Sequence, residues 1–524
     1  MTTISELIQK AVQKSGGSPA LIGENETVSF AELERRAKAV AGGLARLGVG
    51  KGDRVAIWLP NITAWLETFC ACSRIGAIVV SCNTRFRSTE VADILGRSGA
   101  KALLFWPDFK GIPFVDILSE IPPERISSLQ SVIVYGGTDP ASLDLPIGSA
   151  IAYEELLSAP IVEDTPVDPE DGAIMFTTSG TTSAPKFVLH SHRSVVRHAE
   201  GLARSLGYGE GTVTLTANPL CGVFGFTPAL AALAVAVPQV LPTVFDAAGY
   251  ASAMLRHGVT NTIAIDEAIE RVLASVKEEQ PFPLLKSVGS GSYNADFAAF
   301  LTQIAQRGVR GFGVYGMSEI MAVFSHQPPN ADLEKRSQAG GFPVGEGAMV
   351  RTRDPESGSI LPHGEVGELE VRGPSMMLGY FGDPDATAAA MTPDGYFRTG
   401  DAGYTNPDGS FTFLSRMGDA LRLNGFLVSA DEISSVLELH PAVDRCQVVG
   451  TMINGTQKAV AFIVPHPASA VDEADIVAFC KQRLAPFKAP ARVFAVEEFP
   501  MSVGPNGEKV QRGKLRELAA QYLG

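Results

Sequence analysis

Cysteine is scarce in this sequence, and no two cysteines form a CxxC pair. The chain has six among its 524 residues. Scattered single thiols are typical of a protein whose cysteines stay reduced, and they offer no thiolate cluster to a metal ion. We therefore expect a cytoplasmic protein without a metal–thiolate site. The six positions are Cys70, Cys72, Cys82, Cys221, Cys446 and Cys480.

Basic residues are also fewer than acidic ones. Lysine and arginine number 43 against 57 acidic residues, which gives a formal net charge of -14. A general nucleic-acid-binding protein needs a basic surface, so we expect no nucleic acid partner. A local basic groove for a nucleotide remains compatible with this balance.

Long uninterrupted apolar segments are absent as well. The uncharged stretch 217–245 is interrupted by four prolines, at 219, 228, 238 and 242. A membrane-spanning helix needs about 20 consecutive apolar residues, so this stretch predicts buried core rather than a membrane span. The residues from Met1 to Glu6 contain no basic region followed by an apolar core, and we expect no secretory signal.

The length and the residue pattern predict an α/β protein with two or more domains. A strand and then a helix are expected within 28–50, with Ser29 as the cap and Glu32 completing a capping box. Helices at 65–76 and 91–99 alternate with strands at 54–59, 77–81 and 102–105. Such alternation is typical of a mostly parallel sheet covered by helices.

One polar loop, at 176–186, combines several features of a phosphate-binding site. Its hydroxyls and backbone N–H groups can donate to phosphate oxygens, Gly180 permits close approach of the backbone, and Lys186 adds a positive charge. A Walker A loop is excluded because Pro185 and Phe187 flank the lysine. Taken by itself, the segment could equally be a polar turn between two elements.

The string from Thr178 to Lys186 resembles the signature loop of the adenylate-forming superfamily, which includes acyl-CoA and aryl-CoA synthetases, luciferases and nonribosomal adenylation domains. Further motifs follow in the family order along essentially the whole chain. The resemblance implies that this loop binds the phosphates of ATP and that Thr178 takes part in catalysis. The loop residues concerned are Thr178, Ser179, Gly180, Thr181, Thr182 and Lys186.

The segments 289–292 and 315–319 resemble the family's adenine-binding loop and its Tyr-Gly-x-Ser-Glu motif. The literal GxGxxG at 311–316 is weak by itself, because no convincing strand and helix frame it. By resemblance, Glu319 is catalytic and binds Mg²⁺, whose preferred ligands are hard oxygens. Tyr315 stacks on adenine and Ser318 touches the α-phosphate, while Asp401 and Arg416 contact the ribose. The other nucleotide contacts are Ser290, Gly291, Ser292 and Gly316.

An acyl pocket is expected around residue 222. Related ligases commonly have histidine there, whereas this chain has Gly222, which leaves empty volume; a plain turn between core elements is the alternative. Small and apolar residues indicate a roomy hydrophobic slot. The residues proposed to line it are Gly222, Phe224, Gly225, Phe226, Gly289, Gly313, Val314 and Met321.

The resemblance also implies a domain division: an N-terminal adenylation domain at 1–416, a hinge at 417–418 and an α+β C-terminal domain at 419–524. Glycine at the hinge position, Gly418, suits a rotation because its backbone is the least restricted. Lys509 matches the mobile catalytic lysine, with Lys514 as a weaker candidate. Contacts to CoA are assigned to Gly425, Lys488 and Arg492, although solvation at the surface explains the two charged residues equally well.

The function implied is an ATP-dependent carboxylic acid–CoA ligase with ATP, Mg²⁺ and CoA as cofactors. The acid would first form an acyl-adenylate and pyrophosphate, and a thiol would then displace AMP. Neither 218–245 nor 311–325 contains Lys or Arg, so a neutral-tailed aromatic, alicyclic or medium-chain acid is expected. The alternatives are an enzyme that loads a carrier protein and a nucleotide-binding protein with a degenerate site. A homodimer is possible.

Overall fold

This computed structural model describes residues 3–145, 149–178, 185–291, 297–355, 357–417, 421–424, 426–428, 430–467, 469, 471–504 and 507–523, with backbone alone at 415, 416, 422, 426, 427, 431, 502–504 and 507–509. The chain divides into two units. The first comprises Met1–Thr84, Ile94–Thr177 and Phe187–Ser415; the second comprises Arg85–Asp93, Thr178–Lys186 and Arg416–Gly524. A large and a small α/β unit confirm the predicted fold class.

The first unit contains a 13-stranded and an 8-stranded sheet. Its strands are β1 (Pro19–Ile22), β2 (Thr27–Ser29), β3 (Arg54–Trp58), β4 (Ile78–Ser81), β5 (Ala102–Phe105), β6 (Ser131–Val134), β7 (Ala150–Ala152), β8 (Gly172–Thr178), β9 (Lys186–Ser191), β10 (Thr214–Thr216), β11 (Gln239–Val240), β12 (Asn261–Ile263), β13 (Ser287–Ser290), β14 (Gly311–Tyr315), β15 (Ser325–His326), β16 (Gly340–Pro343), β17 (Met349–Arg353), β18 (Gly367–Arg372), β19 (Gly379–Tyr380), β20 (Phe397–Thr405) and β21 (Phe411–Arg416).

The smaller of these sheets has the order β19-β9-β8-β4-β3-β5-β6-β7. Its strands from β8 through β7 pair in parallel, as the alternating sequence pattern predicts, and β19 is antiparallel to β9. The larger sheet has the order β17-β18-β20-β21-β16-β15-β14-β13-β12-β10-β11-β1-β2. The GxGxxG pattern at 311–316 lies within β14 and the residue after it, and a 3-10 turn rather than a helix follows. The strand and helix of a dinucleotide-binding motif therefore do not frame it, as expected.

Helices alternate with these strands along the chain. They are α1 (Ile4–Ser15), α2 (Phe30–Arg46), α3 (Thr63–Ile75), α4 (Ser88–Ser98), α5 (Phe114–Ser119), α6 (Tyr153–Leu157), α7 (His192–Ser205), α8 (Val223–Ala234), α9 (Ala247–Arg256), α10 (Asp266–Ala274), α11 (Phe297–Gln306), α12 (Leu333–Ser337) and α13 (Pro384–Ala390). Ser29 caps α2 as predicted. The capping box is not completed, because the Glu32 carboxylate accepts from Arg35 and Arg36 instead.

The proline-interrupted apolar stretch forms buried core, as expected. Helix α8 lies within it, and its residues from Gly225 to Leu233 are buried. Phe226 is at the centre of an aromatic cluster with Trp65, Phe69 and Phe176. In the part of the chain that the structure describes, no helix is long and apolar enough to cross a membrane.

The second unit has its own core. A three-stranded sheet of order β24-β25-β26 packs against helices, and two short hairpins, β22–β23 and β27–β28, complete it. The strands are β22 (Leu421–Leu423), β23 (Phe426–Val428), β24 (Val443–Ile453), β25 (Thr456–Pro465), β26 (Arg492–Ala495), β27 (Met501–Gly504) and β28 (Gly507–Val510). The helices are α14 (Ala430–Leu437), α15 (Glu473–Arg483) and α16 (Arg512–Leu523).

Candidate active site

A buried tyrosine–aspartate pair joins β14 to β20. The Tyr315 hydroxyl donates to Oδ2 of Asp401 over 2.7 Å, and the amide of Asp401 donates to Oγ1 of Thr399 over 3.0 Å. Tyr315 and Asp401 are both 2% exposed. A carboxylate in so dry a place needs donors, and the phenol supplies one. The pair therefore holds an oxygen acceptor at a fixed position in the sheet.

The chain after Tyr315 makes a tight turn that only glycine permits. A Cβ added to Gly316 would lie 1.1 Å from the carbonyl oxygen of Ala322. Met321 and Ala322 both have positive φ, at 59° and 58°. The turn places the 3-10 segment Ser318–Ile320 directly behind β14. Glycine at 316 is thus required by the backbone itself.

Three contacts fix Ser318 and Glu319 in this turn, two of them to Glu319 itself. The Tyr380 hydroxyl donates to its Oε1 over 2.9 Å. The amide of Met377 donates to its carbonyl oxygen over 2.9 Å. Nε2 of His190 lies 2.7 Å from the carbonyl oxygen of Ser318. Burial lowers the pKa of His190 to about 4, so the ring is neutral, and Nε2 must carry its proton because a carbonyl only accepts.

Two glycines at the end of β13 leave room for neighbouring apolar side chains. A Cβ on Gly289 would lie 3.1 Å from Cγ1 of Val314, and one on Gly291 would lie 3.2 Å from Cζ of Phe224. Between them, Ser290 is 0% exposed, and its hydroxyl has no hydrogen-bond partner among the described residues. A buried hydroxyl without a partner fits a site completed by a ligand.

Among the other residues predicted to line the acyl pocket, one has free space beside it and the rest are closely packed. At the N-cap of α8, a Cβ on Gly222 would have a single neighbour, the Pro219 carbonyl oxygen at 3.5 Å, so the position has room for a side chain. A Cβ on Gly225 would lie 2.2 Å from the same oxygen. Phe226 is 0% exposed and packs in the aromatic core. Gly313 and Met321 are also buried.

The predicted phosphate loop joins two hydrogen-bonded neighbouring strands. Thr178 is the last residue of β8, and Lys186 is the first of β9; both are partly buried. Ser179, Gly180, Thr181 and Thr182 lie outside the described residues, as does Ser292. The structure thus places the two ends of the loop, at adjacent strands of one sheet.

Residues 8–381 match the family model described as "AMP-binding enzyme", and residues 432–503 match "AMP-binding enzyme C-terminal domain". The chain belongs to the AMP-binding enzyme family. This confirms the resemblance drawn from the motifs. It also confirms an enzyme of the AMP-forming ligase type that uses ATP, Mg²⁺ and CoA.

Relatives of this AMP-binding enzyme extend over nearly its whole length. It is 30% identical to 2-succinylbenzoate–CoA ligase of Geobacillus kaustophilus, covering 99% of this chain and 98% of the relative. It is also 30% identical to triostin synthetase I of Streptomyces triostinicus, covering 98% and 94%. Among solved structures, a double mutant of o-succinylbenzoate CoA synthetase from Bacillus subtilis, bound with a product analogue, has a TM-score of 0.83 at 25% identity, covering 98% of both chains.

The remaining predicted site residues of this AMP-binding enzyme lie in the second unit. Lys509 is on β28, where it is the register partner of Ser502, and Arg416 ends β21. The structure describes the backbone alone at these two positions. Gly418 and Gly425 lie outside the described residues.

The structure separates the two basic residues assigned to CoA. Lys488 is 7% exposed, and its ammonium contacts Glu90 at 2.8 Å and Glu432 at 2.7 Å, all within the second unit. Because the ammonium is buried between two carboxylates, the structure contradicts surface solvation of Lys488. It also corrects the assignment of Lys488 to CoA, since these carboxylates already offset the positive charge that a CoA phosphate would need. Arg492 is about half exposed and pairs with Glu473 at 2.8 Å.

Sequence reasoning did not assign Tyr380 or His190 to the site. Both act through contacts with a turn more than 60 positions away. For His190, the signal in the sequence is a polar residue that directly follows the apolar run 187–189 of β9.

Proposed function

We propose that this enzyme joins a hydrophobic, neutral-tailed carboxylic acid to CoA at the expense of ATP. The observation that supports this substrate class is that the apolar side chains of Phe224 and Val314 both lie beside Gly291, and that Val314 directly precedes the Tyr315 of the Tyr315–Asp401 pair. Successive residues of a strand face opposite sides, so Val314 and Tyr315 can serve two different parts of a bound adenylate.

The proposed reaction has two steps. The carboxylate attacks the α-phosphorus of ATP, forming an acyl–phosphate bond as the bond to pyrophosphate breaks. The thiol of CoA then attacks the acyl carbonyl, loses its proton, and displaces AMP. Lys509 and four loop hydroxyls would offset the negative charge that builds up when carboxylate and triphosphate meet, and Lys186 would hold the departing pyrophosphate. The hydroxyls are those of Thr178, Ser179, Thr181 and Thr182.

The proposed magnesium position fits the donor chemistry of Glu319. Its carboxylate is half-buried, and a hydroxyl donor already holds Oε1. Carboxylate oxygen is a preferred Mg²⁺ ligand, and phosphate oxygens or water complete the usual shell. When bound, Mg²⁺ would screen the phosphate charge.

The remaining roles are proposals of the same kind. Asp401 and Arg416 would bind the ribose, and Ser318 the α-phosphate. Residues 1–416 and 419–524 would act as domains that rotate about Gly418, and CoA would contact Gly425 and Arg492. A cytoplasmic location and a homodimer complete the proposal.

The uncharged tail proposed for the acid differs from the acid that the name of a similar ligase gives. The 2-succinylbenzoate of the similar ligase carries a second carboxylate, which requires a cationic or hydrogen-bonding partner. This chain has neither Lys nor Arg at 218–245 or 311–325. We therefore expect a different acid, with an uncharged tail.

A pyrophosphate-release assay across a panel of acids tests the proposal. The panel contains matched pairs with and without a second carboxylate, including 2-succinylbenzoate and malonate, each with and without CoA, and products are identified by mass. Acyl-CoA from neutral aromatic, alicyclic or medium-chain acids is the expected result. A preference for dicarboxylates would overturn the proposed tail, and release without any acyl-CoA would overturn CoA as acceptor.

A further inference from the structure

Tyr380 makes a charge-assisted hydrogen bond to the carboxylate proposed to bind magnesium. Its hydroxyl donates to Oε1 of Glu319 over 2.9 Å, and Tyr380 is 7% exposed. Hydrogen bonds to an ionised acceptor are stronger than neutral ones. This hydrogen bond from the protein occupies Oε1, one of the two carboxylate oxygens of Glu319.

The backbone holds the Tyr380 ring in place independently of this bond. Strand β19 pairs with β9, with Tyr380 opposite Val188, and the next amide, of Phe381, donates to the carbonyl of Phe187 over 2.8 Å. The amide of Tyr380 donates to Oγ1 of Thr387 over 2.9 Å. Because this backbone is held and the ring is buried in an apolar cluster that includes Val188 and Ile320, the phenol is a fixed reference point rather than a mobile side chain.

Two further hydrogen bonds fix the backbone of the turn that carries Glu319. His190 on β9 donates to the carbonyl of Ser318, and Met377 donates to the carbonyl of Glu319. With the backbone tied at both residues, the remaining freedom is that of the Glu319 side chain. Tyr380 is placed to remove it.

We propose that Tyr380 is a positioning residue for magnesium binding: its hydroxyl restrains the Glu319 carboxylate so that Oε2 can serve the metal ion that accompanies ATP. The inference rests on the proposed function, in which Glu319 is the metal ligand. Hydrogen-bonding partners behind a ligand commonly raise metal affinity by fixing its orientation.

Mn²⁺ binding to the full chain in the presence of ATP, followed by electron paramagnetic resonance, tests this. Tyr380→Phe removes one oxygen atom and keeps the ring. We expect the apparent dissociation constant for the metal to rise by about tenfold, while ATP affinity measured in EDTA stays within about twofold of the starting protein. An unchanged metal constant would overturn the inference.

The matched control is Tyr250→Phe, which also removes a buried tyrosine hydroxyl, one that donates to the Ala217 carbonyl over 3.0 Å. It should leave metal binding unchanged; a similar loss in both variants would indicate general destabilisation and contradict the inference. Circular dichroism checks that both variants fold.

Glu319→Gln separates the inference from the proposed function. If this variant binds Mn²⁺ normally, Glu319 is not a ligand, and the proposed function fails at this residue. If it binds weakly while Tyr380→Phe binds normally, the positioning role alone fails. We expect Tyr380→Phe to add less than about twofold in the Glu319→Gln background, because Tyr380 acts through that carboxylate.

Discussion

Tyr315 and Asp401, 86 positions apart in the sequence, share a buried hydrogen bond of 2.7 Å. The sequence motifs assigned these residues separately, one to adenine and one to ribose. In the structure the tyrosine hydroxyl holds the carboxylate. One residue can therefore stack through its ring while its hydroxyl orients the neighbouring acceptor.

Asp401→Asn should weaken AMP binding. Hydrogen bonds to a charged group contribute about 1.5–3 kcal/mol, which corresponds to a loss of affinity of roughly 10- to 100-fold. Isothermal titration calorimetry with AMP measures it. Asp394→Asn is the control, because Asp394 is 56% exposed and pairs with Arg351 at the surface. Equal AMP affinities of the two variants would contradict a nucleotide role for Asp401.

Lys509→Ala should abolish adenylate formation and spare the second step. The proposed lysine charge is needed when carboxylate and triphosphate approach, whereas thiol attack on a supplied acyl-adenylate does not bring these anions together. Pyrophosphate release measures the first step, and acyl-CoA formed from synthetic acyl-adenylate measures the second.

Lys514→Ala is the matched comparison for this experiment. Lys514 is exposed on α16, and its loss should leave both steps intact. If Lys509→Ala stops both steps, Lys509 does not act in the first step alone. If only Lys514→Ala stops the first step, Lys514 rather than Lys509 is the catalytic lysine.

Lys488→Met should destabilise the fold. Burial raises the pKa of Glu90, and although burial alone would lower the pKa of Lys488, the two carboxylates raise it. Without the ammonium, Glu90 and Glu432 face each other in a dry environment, and the free energy of unfolding should fall by about 3–5 kcal/mol. Urea denaturation of the full chain measures this.

The control for that measurement is the ion pair of Arg492 with Glu473 at the surface. Arg492→Gln removes a half-exposed partner of Glu473 and should cost less than about 1 kcal/mol. Adding Glu90→Gln to Lys488→Met should recover part of the stability. Equal losses of unfolding free energy in Lys488→Met and Arg492→Gln would show that the buried cluster contributes no more to stability than the surface pair.

Acid should destabilise the protein through His192. Burial lowers its pKa from 6.5 to about 4, so the folded state holds a neutral ring while the unfolded chain takes up a proton below pH 6.5. The free energy of unfolding is therefore unaffected by His192 above about pH 6.5, and it falls as the pH drops toward 4. At about pH 5 the loss is about 2 kcal/mol.

His192→Asn removes this titration and keeps an acceptor for the amide of Ile4, which now donates to Nδ1. The variant should lose less stability than the starting protein between about pH 7 and pH 5, as judged by urea midpoints. Parallel pH curves for the starting protein and His192→Asn would rule out this contribution.

Local sequence determined the parts of the fold whose causes lie within a few residues. The strand at 102–105 agrees with β5, the helix at 65–76 with α3, and the cap at Ser29 with α2. These features depend on side-chain periodicity and on hydrogen bonds to nearby amides, so a short window contains the information. The ordered motifs likewise sufficed to identify the family.

Tertiary structure alone decided which distant groups meet. Lys488 is buried because Glu90, 398 positions away, and Glu432 surround its ammonium. Glu319 is oriented by Tyr380, which a separate strand presents. The pairing energy of such groups depends on burial and on the approach of segments far apart in the chain, and neither quantity is written in the local residue pattern.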